Sequence, residues 1–367
     1  MEPSSSVECG DALLAPRQAP PGRGEAPVVD FGLAGFGVKL ADPSPVRELA
    51  AAHPDDVDRI IGYGHRHVRR AASDVGLTDL ALEAGRDALS SADVDPAEVD
   101  LVVLATTDLT EYLYWDAAAS LAHRLGAGRA ECCLLTQACT TGVVAFDVVA
   151  GKFASHPDYT AALIVAANRT CEPYWDRATT QSMVFSDGAA AALARRGHPA
   201  LRWLATEVLT DGRYADLYRM DGGGTAAPFG ATVPNSDAYR ARDAWNVVEF
   251  FDYDATRFEQ FVRQLDENAR TVVERACRRA GVGLTDIDRL CMLADNEAAM
   301  GSLAETLHIP LERTTAALAL EHGHLGAADP LFGLADLRAR RDLPAGGIVA
   351  LFSRGRGMHW ACTLVQV

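Results

Sequence analysis

The sequence predicts a layered α/β protein built from two similar halves, and three observations carry that expectation. From Val28 onward, stretches with helical apolar spacing alternate with short runs of strand composition, the rhythm of helices stacked on sheets. Arg86-Asp87-Ala88-Leu89, Ala92 and residues 97–105 are echoed in order by Glu274-Arg275-Ala276-Cys277, Ala280 and residues 285–293, 188 positions later. Each copy reads as a helix, a stop at a small residue, an acidic turn and a buried strand. A second echo pairs residues 161–166 and 189–193 with 347–351 and 361–365. In each half two runs flank a polar or Gly-rich connection, as neighbouring buried strands do.

The elements follow in chain order. Residues 1–27 are rich in Pro, Gly, Ser and Ala (Ala15-Pro16-Arg17-Gln18-Ala19-Pro20-Pro21-Gly22) and lack apolar periodicity, which predicts a flexible N-terminal extension. Residues 28–198 form the first expected half and residues 199–367 the second. Residues 206–253 break the pattern with Gly222-Gly223-Gly224, Pro228, Pro234 and the aromatics Phe229, Tyr239, Trp245, Phe250, Phe251 and Tyr253. That segment fits either a surface elaboration or a lid over an acceptor pocket.

Composition narrows the function class. The 367 residues fit two domain-sized units or one duplicated one. At 49% hydrophobic and 23% charged, most of the chain is expected to fold. A net charge of −16 without a basic stripe argues against nucleic acid as a partner. The densest basic clusters, Arg66 to Arg70 and Arg338 to Arg341, are read as solvated helix surface. The stretch from Cys132 to Phe146 is too short and too polar to span a bilayer, and Met1-Glu2-Pro3-Ser4 does not open a secretory signal. The expectation is a soluble cytoplasmic protein without a membrane partner. Eight cysteines without a CxxC pair suggest a reducing compartment, mostly buried thiols, room for one reactive thiol, and no metal site.

Leu134-Leu135-Thr136-Gln137-Ala138-Cys139-Thr140-Thr141-Gly142 reads as a strand turning sharply into a buried helix. A cysteine there meets unpaired N–H groups and the positive end of the helix dipole, which favour a thiolate. Small neighbours let other backbone approach the sulfur. Taken alone, the pattern fits either a structural thiol or a nucleophile.

This stretch resembles the active-site elbow of the ketosynthase III branch of the thiolase superfamily. The resemblance runs back through Ala105-Thr106-Thr107 and residues 117–126. It runs forward through Arg169-Thr170-Cys171, Phe185-Ser186-Asp187-Gly188, Thr210-Asp211-Gly212, His322-Gly323-His324 and Gly355-Arg356-Gly357-Met358-His359-Trp360. It implies a thiolase fold, a five-layer αβαβα sandwich of two pseudo-symmetric halves, assembled as a homodimer. It also implies that Cys139 is the nucleophile taking an acyl group from a coenzyme A or carrier-protein thioester, with no bound cofactor. Backbone N–H groups of Cys139 and of Arg356 or Gly357 would form the oxyanion hole.

Two departures redirect the implied chemistry. Condensing members place a His and an Asn beside the cysteine to decarboxylate a malonyl thioester and hold the enolate. Here the segment expected to read Pro-His-Gln-Ala-Asn is Leu293-Ala294-Asp295-Asn296-Glu297, and the Asn position is His324. Cys139, His324 and a carboxylate remain. Asp329 lies five residues beyond His324, off its face on a continuous helix, so the two meet only if His324 precedes the helix that Asp329 opens. Gly323, Gly326 and Pro330 allow that break, and Asp295 stays an alternative partner.

A Cys–His–Asp unit is a nucleophilic acyl-transfer device. The combination resembles the ketosynthase-III-like acyltransferases of antibiotic and polyketide pathways, which acylate an oxygen or nitrogen of a small-molecule acceptor. The other readings are a starter-unit condensing enzyme and a non-catalytic partner subunit of a heterodimeric synthase. For the donor, Arg169 matches a basic position that meets coenzyme A phosphates in relatives. The positions that hold the adenine end in relatives fall near Asp58 and Gly62 here, which favours acyl-phosphopantetheine on a carrier protein. Tyr114 falls where a neighbouring subunit closes the acyl pocket, and also fits a core aromatic.

Overall fold

The computed structural model describes residues 29–230 and 244–367; the N-terminal extension, Pro234 and Tyr239 lie outside the described residues. The first half contributes strands β1 (Phe31–Leu40), β2 (Asp42–Pro45), β3 (His67–Arg70), β4 (Leu101–Thr106), β5 (Glu131–Leu135), β6 (Ala161–Asn168) and β7 (Gly188–Arg196). Its helices are α1 (Val46–Ala51), α2 (Val57–Gly62), α3 (Leu77–Ser91), α4 (Ala117–Leu125) and α5 (Thr141–Ser155). The second half contributes β8 (Arg202–Thr210), β9 (Ile287–Met292), β10 (Ile348–Gly355) and β11 (His359–Gln366). Its helices are α6 (Ala244–Phe250), α7 (Ala255–Ala280), α8 (Glu297–Thr306), α9 (Ala316–His322) and α10 (Asp329–Ala339).

The two main sheets share one plan. Their strand orders are β1-β7-β6-β4-β5 and β8-β11-β10-β9. In each, the first two pairings are antiparallel and the third is parallel. The second sheet replaces a fifth strand with a single parallel bridge, Leu290 to Thr314. The sequence echoes are therefore α3–β4 against α7–β9, and β6–β7 against β10–β11.

Side-chain alternation along the strands sorts the layers. In β4, Val102 and Leu104 join the outer core formed with α3 and α4, while Leu101, Val103 and Ala105 face the middle of the molecule. In β10, Ile348, Ala350 and Phe352 face the core shared with α7, and Val349 and Leu351 face inward. Between the sheets lie α5 and α10, with Val143, Phe146, Val149, Phe153, Leu331 and Leu334 all within 1% exposure. The order is helices, sheet, helices, sheet, helices. Truncating a central residue such as Phe146 to Ala would cost about 3–5 kcal/mol. Residues 138–155 are long and apolar enough to cross a membrane by length and composition, but they form the helix at the centre of this core, where an all-round apolar surface is required.

Helix limits are set locally. The Asp79 carboxylate accepts the Gly76 N–H at 2.8 Å to open α3. Asp254 accepts the N–H groups of Thr256 and Arg257 to open α7, and Gly281 closes it at φ +73. One expectation is corrected. Arg66 to Arg70 is not helix surface: residues 67–70 form β3, paired antiparallel with β2. Val68, 3% exposed, anchors that strand in a small cluster with Val46, Ile60 and Tyr63, leaving the arginines to Glu321, His322 and Glu172.

Candidate active site

Strand β5 ends at the elbow. Ala138 adopts φ +52, a left-handed conformation that costs a non-glycine residue about 1–2 kcal/mol. Hydroxyls brace the turn: Thr140 donates to the Gln137 carbonyl at 2.7 Å, and Thr141 to those of Ala138 and Thr106 at 2.5 and 3.1 Å. Ser353 of β10 donates to the Cys139 carbonyl at 2.7 Å. Cys139 itself sits in a short 3-10 turn that feeds α5 and is 8% exposed.

The opposite half supplies an imidazole. Gly323, at φ +71, ends α9, and His324 then runs extended beside residues 184–186. Its N–H donates to the Val184 carbonyl and its carbonyl accepts from the Ser186 N–H, both at 2.8 Å. The Phe185 ring meets the imidazole edge-on at 4.9 Å. A turn at Gly326–Ala328 separates His324 from α10, which Asp329 opens. His324 thus precedes the helix, and the five-residue spacing closes.

The result is a continuous relay. Cys139 Sγ lies 3.1 Å from His324 Nε2, and Asp329 Oδ2 lies 2.5 Å from His324 Nδ1. The same carboxylate accepts the N–H groups of Leu325 and Ala294 at 2.7 and 2.8 Å. With Nδ1–H donating to Asp329, Nε2 faces the sulfur. Burial pulls the His324 pKa down, but the charges of Asp329 and Cys139 outweigh it and hold the imidazole well above its usual range. An imidazole so placed is positioned to accept a proton from the thiol, with the carboxylate beside Nδ1 to balance the charge.

The remaining expected residues fall in different places. Asp295 does not reach His324: it is ion-paired with Arg354 and accepts the Asn296 N–H at 2.8 Å. Its charge is therefore balanced within the wall. Gly355 packs on the elbow, where a Cβ would come within 3.0 Å of the Cys139 nitrogen. Gly355 and Arg356 line the same cavity as Cys139. Arg169 is spent on the carbonyls of Val75 and Thr170 and lines a separate cavity of about 810 Å³. Tyr114 is fully exposed. Asp58 and Gly62 are exposed positions of α2. No metal-binding group of three His, Cys, Asp or Glu occurs among the described residues.

A cavity of about 320 Å³ opens onto Cys139 and His324. Phe258, Phe261 and Leu265 of α7, Val247 of α6, and Met183 and Leu293 make it mainly apolar; Thr180, Gln181, Ser182, Tyr218, Asn296, Arg354 and Arg356 add polar groups. Burial pushes the Tyr218 phenol up to about 12, so it remains a neutral donor. Sequence reasoning missed Tyr218 and Arg354. The two arginines interleaved with glycine in Ser353-Arg354-Gly355-Arg356-Gly357 were the available signal for Arg354; for Tyr218 there was none.

The architecture is that of the thiolase superfamily. Residues 135–212 match the family described as 3-oxoacyl-[acyl-carrier-protein (ACP)] synthase III, and residues 277–367 match its C-terminal part. The beta-ketoacyl-[acyl-carrier-protein] synthase III of Gloeobacter violaceus is 30% identical over 305 residues, 83% of this chain and 87% of that protein. Among solved structures, FabH from Pseudomonas aeruginosa PAO1 aligns with a TM-score of 0.74 at 26% identity, over 92% of this chain and 98% of that one. ChlB3, an acyltransferase, aligns with a TM-score of 0.80 at 22% identity over the same shares. The chain belongs to the 3-oxoacyl-[acyl-carrier-protein] synthase III family.

Proposed function

We propose that this enzyme moves an acyl group from a coenzyme A or carrier-protein thioester, through an acyl-Cys139 intermediate, to a hydroxyl or amine of a small-molecule acceptor in natural-product biosynthesis. The observation that carries the reading is the Cys139–His324–Asp329 relay, with 3.1 and 2.5 Å links, set where Ala294 and His324 stand in place of the condensing His and Asn. The thiolate attacks the thioester carbonyl, and the donor thiol leaves with the proton from His324. The acceptor then attacks the acyl-cysteine, its proton passes to His324, and the Cys139 thiolate is released. Backbone N–H groups of Cys139 and of Arg356 or Gly357 hold the oxyanion in both steps, each worth about 3 kcal/mol. Close packing of Gly355 on Cys139 supports that assignment. The acyltransferase ChlB3 shares the fold.

A carrier-protein donor is favoured by the exposed, non-aromatic Asp58 and Gly62. A homodimer is supported by the cluster Leu109, Tyr112, Leu113 and Tyr114, each at least 46% exposed, which a second copy would cover. The free state of the seven described cysteines fits the cytoplasm.

The names of the curated relatives favour a second reading, starter-unit condensation. Incubation with acyl thioesters and candidate acceptors, followed by intact mass and product analysis, separates the two. An acyl-Cys139 adduct that passes to an acceptor without carbon dioxide supports transfer. Carbon dioxide with a β-keto product from a malonyl donor sinks it. The absence of any adduct would point to a silent partner subunit.

A further inference from the structure

Cys139 faces two spaces. One is the 320 Å³ cavity. The other is a recess of about 10 Å³ between Cys139, Asp108, Trp175, Phe185 and Arg356, the room that one water molecule fills. Its walls are braced. The Arg356 guanidinium stands 5.0 Å over the Trp175 ring and donates to the Thr107 carbonyl at 2.5 Å, and Phe185 meets Trp175 edge-on at 5.2 Å.

The lining suits water better than an alkyl chain. Trp175 is 5% exposed, and its indole N–H has no hydrogen-bond partner among the described residues. A buried donor in that state costs about 1–3 kcal/mol. Asp108 accepts the Leu109 N–H through Oδ1 at 2.8 Å, which leaves Oδ2 available. A water there accepts the indole N–H with one lone pair, donates a proton to Asp108, and keeps its second lone pair. Cys139 completes the lining, so the carbonyl carbon of a thioester on Sγ stands one bond from this wall.

We propose that acyl-Cys139 has a second exit: hydrolysis by a water seated in this recess, with Asp108 as its base and the Trp175 N–H holding its oxygen. The inference rests on the acyl-Cys139 intermediate of the reading above and adds thioester hydrolysis to it. His324 lines the 320 Å³ cavity and not the recess, whereas Asp108 and Trp175 line the recess and not the cavity. Acceptor and water therefore approach the sulfur from different spaces. The water oxygen forms a C–O bond as one of its protons passes to Asp108. Collapse of the tetrahedral intermediate breaks the C–S bond and frees the carboxylic acid. The proton on Asp108 returns to the Cys139 thiolate, so acyl-cysteine and water give acid and thiol. This exit clears the sulfur when no acceptor arrives.

The test uses the full chain loaded with acetyl or butyryl pantetheine thioester, freed of excess donor and placed in heavy-oxygen water without acceptor. Intact mass against time reports the adduct. It is expected to decay about 100-fold faster than the same thioester free in that buffer, with one heavy oxygen in the released acid. Asp108→Asn should slow the decay about 100-fold, the lower end of a general-base contribution, and Asp108→Glu should recover part of it. Trp175→Phe should slow it about tenfold, the span of one hydrogen bond. With hydroxylamine at fixed concentration, the Asp108→Asn product should shift from acid to hydroxamate, which a merely loosened fold would not produce. An adduct no more labile than the free thioester, or one that decays equally in wild type and Asp108→Asn, overturns the proposal and leaves the acyl-transfer reading standing. Hydrolysis that depends on Asp108, with no passage to any acceptor, does the reverse. No adduct from either donor defeats both.

Discussion

Gly142 rests directly against Ala327: a Cβ on Gly142 would stand 2.0 Å from the Ala327 carbonyl oxygen. This contact joins the first turn of α5 to the loop between His324 and Asp329, so it sets the approach of Cys139 and His324. Gly326 does the same from the other side, with φ +61 and Thr107 Oγ1 2.1 Å from its would-be Cβ.

Gly142→Ala should therefore push the halves of the site apart. The expected result is a loss of about 1–3 kcal/mol in stability from overpacking, with Cys139 acylation slowed at least tenfold. Urea melts and single-turnover loading measure the two. Unchanged loading would show that the contact does not control the sulfur–imidazole distance.

Asp329→Asn removes the charge that faces His324 Nδ1 and sets an amide against the N–H groups of Leu325 and Ala294. Acyl transfer should fall about 100- to 10,000-fold, the range of a general-base contribution. Progress curves with a pantetheine thioester report it. Asp295→Asn should cost less, because its carboxylate serves Arg354. The opposite ranking would move the orienting role to Asp295.

The two buried histidines move stability with pH in opposite senses. Burial drives the His65 pKa from 6.5 down to about 4. The folded state holds that ring neutral while the unfolded chain protonates, so its contribution is present above about pH 6.5 and is lost as pH falls toward 4. The full shift is worth about 3 kcal/mol. His324, held above 6.5, contributes fully below that value and loses its contribution as pH rises through its folded pKa. Denaturation midpoints across this range should show a flatter acid limb in His65→Gln and a flatter alkaline limb in His324→Gln.

Ala138→Gly relieves the left-handed residue before the nucleophile. Melting temperature should rise, reflecting up to about 1 kcal/mol, while acylation slows because the elbow holds the sulfur less firmly. A faster and more stable variant would mean that Ala138 plays no part in aiming Cys139.

Much of this was legible because it is written locally. Strand and helix periodicity and the repeated 86–105 and 274–293 segments carry the topology, and Gly323, Gly326 and Pro330 foretell the break that lets His324 meet Asp329. What stayed hidden depends on distant residues. Arg354 and Asp295 are far apart in sequence, and neither shows the other as its partner. Val68 draws the basic run 66–70 into a strand through a small tertiary cluster, which surface-charge reasoning does not see. Trp175 and Arg356 meet across a long stretch of sequence, in the connection between β6 and β7 where Arg177 is buried with Asp187 in a two-pronged ion pair at 2.8–2.9 Å.

Ser353 holds the carbonyl of Cys139 from 214 positions further along the sequence. During synthesis the cysteine leaves the ribosome long before His324, Asp329 or Ser353 exist to act on it. The sulfur of a nascent chain is thus without its base and its brace while cellular thioesters surround it. The site is assembled only when the strand that carries Ser353 packs on the elbow, so its chemistry waits on the pairing of the two halves.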